Sequence, residues 1–433
     1  MLSDVEAAAL ARVDEEAVGR TLLELMAVPS VTGSAAESEL QHLLAGRLER
    51  LGLEVDLWSM DLPALLADPE FPGAEAARDE AWGLVGRTGG ADGPTLVLQG
   101  HVDVVPPGDP AAWEGDPFVP RVTGDVVHGR GACDMKAGLA AHLAALAAVR
   151  AAGVRLRGRV AVHFVVGEED GGLGAFGTLR RGYGGDACVI TEPTAGTLVT
   201  ANAGALTFRL SVPGKAAHAS SRDAGVSAID GYLAIHRALA GLERARNHAP
   251  SPLMAEYPIP YALSVGTLRA GDWASSVPDL LVAEGRLGVR LDEDPAEARA
   301  ALERCVAEVC AADPWLREHP ATVTWPGGQF ASGRLAEGHP LRGVVRDACA
   351  DANGWASRPR ERGAPYGSDL RLYSGAGIPT LQYGPGDVRV AHSAEERVSV
   401  AEVVAVARTL VLTVLRTVGA EQGGAAPTAA TPS

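Results

Sequence analysis

The sequence is poor in cysteine: five residues are scattered along the chain, and none forms a Cys-x-x-Cys pair. An odd and scattered set of cysteines does not make a disulfide framework. We therefore expect reduced thiols in a cytoplasm, each packed as a small buried hydrophobic side chain.

Positive charge and long apolar runs are also in short supply. The 38 basic and 54 acidic side chains give a net charge of −16, which disfavours nucleic acid and anionic membranes as partners. The most apolar late stretch, 403–414, is short and contains Arg408, so it does not predict a membrane span. The first six residues lack a basic region and an apolar core, so we expect no signal peptide and a cytoplasmic location.

The chain has 433 residues, of which 47% are hydrophobic, and this length predicts at least two domains. Apolar stretches predict buried strands at 95–98, 160–166 and 187–190. Four polar side chains come just past the ends of these strands: His101, Glu168, Glu169 and Glu192. In an open α/β sheet, ligands bind at the edge formed by the carboxyl ends of the strands. We therefore expect the four side chains at one edge of a sheet.

Three further residues extend this set. Asp103 follows His101 by two positions and could accept its second ring N–H, which fixes the tautomer that coordinates a metal. Asp134 precedes an Ala/Leu-rich helical stretch, where aspartate is also a common N-cap. His392 follows a predicted strand at 378–383 and a Gly-Pro-Gly loop. Taken singly, each motif has an ordinary alternative, such as a surface turn or a solvated acidic turn.

The chemistry of the set is that of a metal site. Apart from Asp103, which would orient His101, the set has two histidines and four carboxylates, and this mixture suits zinc, manganese or cobalt. The number fits two metals, with one bridging carboxylate and with one histidine and one further carboxylate for each metal. Such a pair shares a water, lowers its pKa and stabilises a tetrahedral intermediate. Because another carboxylate would move the proton to a leaving amine, the residues indicate metal-assisted hydrolysis of an amide.

The pattern changes near residue 203. From there to about 328 the predicted order is β-α-β-β-α-β, which is that of a ferredoxin-like module. We predict a catalytic domain in two segments (1–202 and 329–418), an inserted module (203–328) and a disordered tail (419–433).

The motifs together resemble a known family. They are Gly-His-Val-Asp at 100–103, Gly-Arg-Gly-Ala-Cys-Asp-Met-Lys at 129–136, Gly-Glu-Glu at 167–169, Thr-Glu-Pro-Thr at 191–194 and Ala-His-Ser at 391–393. The sequence resembles the dinuclear zinc amidohydrolases that include acetylornithine deacetylase, succinyl-diaminopimelate desuccinylase, aminoacylase and glutamate carboxypeptidase. The resemblance implies an α/β fold: a zinc-exopeptidase-like catalytic domain, with a mixed and largely parallel sheet flanked by helices, and an inserted ferredoxin-like α+β lid and dimerisation domain.

The resemblance also implies a role for each residue of the set. Two divalent ions, zinc above all but with cobalt or manganese as alternatives, would be held by His101, Asp134, Glu169, Glu192 and His392. Asp134 would bridge, with a cis peptide after it, and Asp103 would orient His101. Glu168 would be the general base and acid that acts on a metal-bridging water.

Substrate contacts are implied less sharply. His218 matches a histidine that stabilises the oxyanion, often in the partner subunit, although its spacing alone favours an exposed loop histidine. A lid arginine for a substrate carboxylate could be Arg290 or Arg286, and each could equally be a surface arginine. The other implied substrate contacts are Ser275, where many members have asparagine, Ser368, Asp369 and Gly384.

The leading hypothesis is a cytoplasmic, homodimeric deacylase of N-acylated amino acids or related small amides. The alternative is a dipeptidase or carboxypeptidase with the same two-metal site. A non-catalytic binding protein would lack a ligand or the base, and both are present. A reading without the resemblance is a two-domain α/β protein with acidic turns and no metal.

Overall fold

A computed structural model describes residues 2–90 and 92–421, so most of the predicted tail lies outside the described residues. The helices are α1 (Asp4–Leu10), α2 (Glu15–Met26), α3 (Ala35–Arg50), α4 (Leu62–Ala67), α5 (Ala137–Ala151), α6 (Leu173–Arg180), α7 (Ala228–Arg246), α8 (Pro295–Ala312), α9 (Pro314–Glu318), α10 (Leu341–Asn353), α11 (Leu370–Gly375) and α12 (Val400–Val418).

The strands fall into three sheets. They are β1 (Glu54–Ser59), β2 (Trp82–Arg87), β3 (Thr95–His101), β4 (Arg121–Thr123), β5 (Val126–His128), β6 (Arg159–Val165), β7 (Ala187–Pro193), β8 (Leu198–Asn202), β9 (Gly204–Pro213), β10 (Leu263–Ala270), β11 (Leu280–Val289), β12 (Thr322–Thr324), β13 (Gln329–Phe330), β14 (Gly333–Arg334), β15 (Glu361–Ala364), β16 (Thr380–Gly384) and β17 (Arg397–Ser399).

Within the described residues, the largest sheet has nine strands in the order β1-β2-β6-β3-β7-β16-β8-β14, with β15 paired to β8. Its centre is parallel, since β3 pairs in parallel with β6 and β7, and β16 with β7. The outer pairs β1–β2 and β2–β6 are antiparallel. Because β8 also pairs antiparallel with β14 and β16, the structure confirms the predicted mixed sheet, but parallel pairing prevails only at its centre.

The central strands read as continuous apolar runs because helices cover both faces of the sheet. On one face, α2, α3, α5 and α12 form the main hydrophobic core with the strands. On the other face, α6 and α11 pack over Val97, Ala161 and Cys188. The parallel order brings the carboxyl ends of β6, β3 and β7 to a common edge, and this edge carries the site.

The inserted module has the strand order β10-β11-β9-β12, all antiparallel, with β13 added to β9. Here burial alternates along β9, because α7 and α8 cover only one face and form a second core with the sheet. The element order is the predicted β-α-β-β-α-β. The predicted domain boundaries stay predictions.

One helical stretch, Ala132–Ala151, is long and apolar enough to cross a membrane by length and composition, yet 83% of its apolar 18-residue window is buried within the fold. Such burial is typical of a core helix.

Helix α5 approaches the sheet at a glycine. A Cβ at Gly138 would lie 2.3 Å from the Thr191 hydroxyl oxygen and 2.5 Å from the Thr191 carbonyl oxygen, just before Glu192. Only glycine fits at this contact between α5 and β7.

We predict that Gly138→Ala lowers the free energy of unfolding by about 1–3 kcal/mol, because overpacking outweighs the gain of about 1 kcal/mol in helix propensity. The matched control is Gly46→Ala in α3, where the new Cβ would meet only the Arg50 guanidinium at 3.4 Å. That variant should be neutral or more stable in urea unfolding. Equal effects of the two substitutions would contradict the packing argument.

Candidate functional site

His101 is the last residue of β3 and is buried. Its Nδ1 lies 2.9 Å from the backbone carbonyl of Asp103 and 3.6 Å from the Asp103 carboxylate. The backbone carbonyl, and not the predicted carboxylate, is therefore the nearer acceptor of the ring N–H. This arrangement leaves the lone pair of Nε2 free, and Nε2 faces the carboxylates of Asp134 and Glu192.

The Asp103 carboxylate has a different partner. It accepts hydrogen bonds from the backbone N–H groups of Glu168 and Glu169, both at 3.2 Å, and from the Thr32 hydroxyl at 3.0 Å. Asp103 therefore fixes the loop after β6, which carries both glutamates, as well as the turn after β3.

Asp134 stands between the two histidines. His101 Nε2 lies 3.1 Å from Oδ1 of Asp134, and His392 Nε2 lies 3.4 Å from Oδ2. Asp134 lies in a distorted turn, Ala132–Lys136, and its peptide bond to Met135 is cis, as the resemblance implied. Glu396, which is buried and paired with Arg130, accepts the Asp134 N–H at 3.3 Å. One carboxylate thus faces a histidine with each of its oxygens.

The remaining glutamates complete the two halves. His392 Nε2 lies 3.1 Å from the Glu169 carboxylate, and His101 Nε2 lies 3.8 Å from the Glu192 carboxylate. Potential ligand atoms lie within 4.8 Å of one another in two groups: His101, Asp134 and Glu169, and His101, Glu168 and Glu192. Glu168 is as close as the predicted ligands, so distance alone does not separate the base from them.

Burial and mutual repulsion shape the charges. Burial raises the pKa of Glu192 and of Glu169 to about 7, with the nearby Asp134 carboxylate adding to the effect at Glu169. Burial and the neighbouring Glu192 raise the pKa of Glu168 well above its ordinary value. Burial opposes the shift at Asp134, but hydrogen bonds from His101 and His392 lower its pKa. Hydrogen bonds to Asp134 and Glu169 raise the pKa of His392 to about 11.

These residues fit a pair of divalent cations. The four converging carboxylates carry four negative charges when ionised, and two divalent cations would neutralise them. Imidazole nitrogen and carboxylate oxygen are ligands of zinc, cobalt and manganese, and no thiol faces this set among the described residues. The raised pKa values of the glutamates have the same origin, since negative charge in a buried site costs free energy until a cation is present.

A cleft of about 430 Å³ opens beside the cluster, between the large sheet and the inserted module. The cluster contributes Asp134, Glu168, Glu169, Glu192 and His392, and the module contributes Ser264 and Arg286. Arg286 is thus the predicted arginine that lines the cleft. Arg290 lies just past the end of β11 in a separate groove with Arg246 and Glu293, and the structure does not bring it to the site.

The other predicted substrate residues divide in the same way. Ser368 lines the cleft. Asp369 is fully buried and accepts a hydrogen bond from Gln99 at 2.8 Å instead. Gly384 packs against β7, where a Cβ would lie 2.2 Å from the Thr191 carbonyl oxygen. Asp369 and Gly384 therefore contact other parts of the protein and support the loops around the cleft.

His218 and Ser275 lie together at the tip of the inserted module. His218 is exposed and contacts the Ser220 hydroxyl at 2.8 Å, and the Ser275 carbonyl accepts the Ala219 N–H at 2.9 Å. Neither is among the residues that line the described cleft of the same chain.

Two aromatic residues of the cleft, Tyr366 and Phe330, were not predicted. Tyr366 has a buried hydroxyl without a hydrogen-bond partner among the described residues, and burial and the Glu192 carboxylate raise its pKa. Phe330 stacks on the guanidinium of Arg371 at 3.9 Å from the ring centre. Tyr366 directly precedes the Gly367-Ser368-Asp369 motif, and this position could have indicated it. Phe330 lies in a short strand, and no sequence motif marks it.

Comparison with known proteins gives a family. The model described as "Peptidase family M20/M25/M40" matches residues 97–416, which include every residue of the cluster. The chain is 28% identical over 391 residues to N-formyl-4-amino-5-aminomethyl-2-methylpyrimidine deformylase of Bacillus subtilis, covering 84% of this chain and 86% of that one. It is 34% identical over 299 residues to succinyl-diaminopimelate desuccinylase of a Methylobacterium species, covering 65% and 68%.

Solved structures share the fold. A tripeptidase of Staphylococcus aureus superposes with a TM-score of 0.72 at 22% identity, covering 94% of this chain and 99% of that one. At this identity the likeness shows the fold, which agrees with the sheet and the inserted module described above.

We predict that the metal-free protein loses thermal stability as the pH rises from about 5 to about 7.5. The folded-state pKa values of Glu169 and Glu192, about 7, exceed their ordinary value of 4.5, so the folded state binds more protons. Their contribution is complete below about 4.5 and is lost as the pH rises through about 7.

Thermal melts of metal-free protein across this range, with and without two equivalents of zinc, provide the measurement. Zinc should raise Tm more at pH 7.5 than at pH 5.5, because it binds the deprotonated carboxylates. Glu192→Gln should weaken the pH dependence. A metal-free Tm that climbs with pH over this range would show that the cluster does not carry excess negative charge.

Proposed function

Starting from the fact that this chain belongs to Peptidase family M20/M25/M40, we propose that it is a two-metal amidohydrolase that deacylates an N-acylated amino acid or a related small amide. The observation that carries the proposal is Asp134, whose two carboxylate oxygens each face one histidine. Relatives named as a deformylase and a desuccinylase both remove an acyl group from an amine, which supports deacylation.

Five residues would hold the ions: His101 and Glu192 on one side, Glu169 and His392 on the other, and Asp134 between them. When bound, the ions supply Lewis-acid stabilisation of charge on the amide oxygen and make a water more acidic. We propose zinc as the physiological metal, with cobalt and manganese as the alternatives to be tested.

The proton is moved by Glu168. Its carboxylate lines the cleft beside the proposed ligands. Burial raises the pKa of this carboxylate, which makes it a better proton acceptor. Glu168 would take a proton from the attacking water and deliver it to the nitrogen of the leaving amine. The amide bond breaks, a carboxylic acid is released, and the amine leaves with that proton.

Arg286 would select the amine side of the substrate. Among the described residues, it is the cationic side chain of the inserted module that lines the same cleft as the acidic cluster. A guanidinium binds a carboxylate through two parallel hydrogen bonds, so a substrate with a free carboxylate fits it. This preference holds for an N-acyl amino acid and for a peptide with a free C-terminus alike.

The experiment is a hydrolysis screen of N-formyl, N-acetyl, N-succinyl and N-carbamoyl amino acids and of dipeptides, each with zinc, cobalt or manganese. We expect turnover of an N-acyl amino acid that is lost with a chelator. Faster hydrolysis of dipeptides would favour the peptidase alternative, and no metal-dependent hydrolysis of any amide would reject the proposal.

Two variants test the roles within that screen. Glu168→Ala should keep two metals per chain and lose at least about 100-fold in kcat, the scale of general acid–base catalysis. Glu169→Ala should lose metal as well as turnover. Near-normal turnover by Glu168→Ala would show that another group is the base.

We further propose a cytoplasmic homodimer formed through the inserted module. Strand β10 is an edge strand of its sheet with Leu268 exposed, and α7 exposes Ile229 and Leu233. An unpaired strand edge next to exposed apolar side chains fits a second copy of the chain. In such a dimer, His218 would reach the cleft of the partner and donate to the amide oxygen.

Mixing His218→Ala chains with Glu168→Ala chains tests this arrangement. Each homodimer should be nearly inactive, whereas each heterodimer contains one cleft with both side chains intact. We expect up to about half of the wild-type activity per such dimer, because one of its two clefts is intact. Verified heterodimers without recovered activity would place His218 outside the reaction.

A further inference from the structure

The loop after β6 is held by buried carboxylates that are not among the proposed ligands. The Gly167 N–H donates to Oε1 of Glu37 at 3.1 Å, and the next two N–H groups, of Glu168 and Glu169, donate to Asp103. Glu37 belongs to α3 and is buried. We call residues 167–170 the base loop, because they include Glu168. Three consecutive backbone N–H groups of the base loop therefore donate to two carboxylates from elsewhere in the chain.

Arg78 connects this support to the far end of the same loop. Its Nη1 lies 3.1 Å from Oε2 of Glu37, and its Nη2 lies 3.2 Å from Oδ1 of Asp170. The arginine side chain is only 5% exposed. One guanidinium thus joins a carboxylate that binds the start of the loop, at Gly167, to the carboxylate at its end.

The segment that carries Arg78 is tied to the loop a second time. Oδ2 of Asp170 accepts the backbone N–H groups of Ala76 at 2.9 Å and Glu75 at 3.3 Å. This stretch lies outside any helix or strand, so such contacts hold it, together with the hydrogen bond from the Gly328 N–H to Glu75 at 3.3 Å on its other side. The result is a closed ring of contacts around 167–170.

The ring matters because of charge. Glu37 and Asp170 each lie close enough to the Asp103 carboxylate to be repelled by it, and Asp170 directly follows Glu169 in the sequence. Arg78 opposes this repulsion at both carboxylates, and its fork of donors holds them at a set separation. Without it, Glu37 and Asp170 would lose the donor that they share and would move apart, and the loop between them would shift.

We propose that Arg78 is a positioning residue for proton transfer: it acts through Glu37 and Asp170 to hold the loop that aims Glu168 at the reacting atoms. The inference rests on the proposed function, because it assigns the base to Glu168. It adds a cation that lies outside the cleft and touches neither substrate nor metal ligand.

The test compares Arg78→Met and Arg78→Lys with the wild type in kcat, KM, metal content and Tm. A displacement of about 1 Å can cost about 100-fold in rate, so we expect Arg78→Met to lower kcat at least about 10-fold. KM should change less than about threefold, and the metal content should fall less than in Glu169→Ala, because the Glu169 side chain is kept and the other proposed ligands are on other elements. Lysine keeps the charge without the fork, so Arg78→Lys should recover part of kcat.

The matched control is Arg180→Met. Arg180, at the end of α6, is half-exposed and pairs with Asp68 and Glu70. These two acidic residues belong to the irregular segment that carries Arg78, but they are away from the base loop. Exposed ion pairs contribute little, so this variant should keep wild-type kcat.

A second background separates positioning from general destabilisation. In Glu168→Asp, the shortened base is already misplaced, so adding Arg78→Met should cost less than about threefold in kcat. The same loss in both backgrounds would overturn the proposal, as would wild-type kcat in Arg78→Met. If Arg78→Met does not fold, Arg78→Lys decides, because wild-type kcat in that variant also overturns the proposal. A wild type that hydrolyses no amide in the screen removes the proposed function first, and this inference with it.

Discussion

The structure depends on one electrostatic constraint: acidic side chains of a single sheet edge are buried close together, where ionised carboxylates repel one another. Asp134, Glu168, Glu169 and Glu192 converge around the imidazoles of His101 and His392. Burial raises the pKa of the three glutamates for this reason, whereas Asp134, which faces both histidines, has a lowered pKa. A pair of divalent cations would remove the imbalance, and the same cations would supply Lewis-acid chemistry for amide hydrolysis. The cost of the charges and the proposed activity therefore have one origin.

The fold supports this cluster through strands and side chains that are not among the proposed metal ligands. Parallel strands deliver His101, the glutamate loop and Glu192 to a common edge, and a backbone carbonyl sets the His101 ring. Asp103 organises the loop between the two halves, and Glu396 holds the turn of Asp134. Each of these contacts uses a backbone N–H or C=O group, whose position follows from the strand or helix that bears it. The precision of the site thus comes from main-chain contacts and not only from the side chains that would bind metal.

Much of this was predictable from local pattern. Apolar runs located the strands, and the polar residues after them located the edge, because parallel strands end together. The order of the inserted module followed from alternation and helical spacing. Long-range contacts were not predictable in the same way. Arg78 lies in an irregular stretch without periodicity, and nothing near it in sequence points to Glu37 or Asp170. Arg286 and Arg290 differ by an even number of positions, so strand alternation could not choose between them. The end of β11 at Val289 makes the difference, and boundaries are the least certain part of any sequence pattern.

The central claim is that two cations lie on either side of the Asp134 carboxylate. Anomalous diffraction from crystals grown with zinc, recorded above and below the zinc absorption edge, tests it most directly. The account predicts two peaks roughly 3.5–4 Å apart, one within bonding distance of His101 and the other of His392. A single peak, or peaks that leave either histidine without a metal, would contradict it.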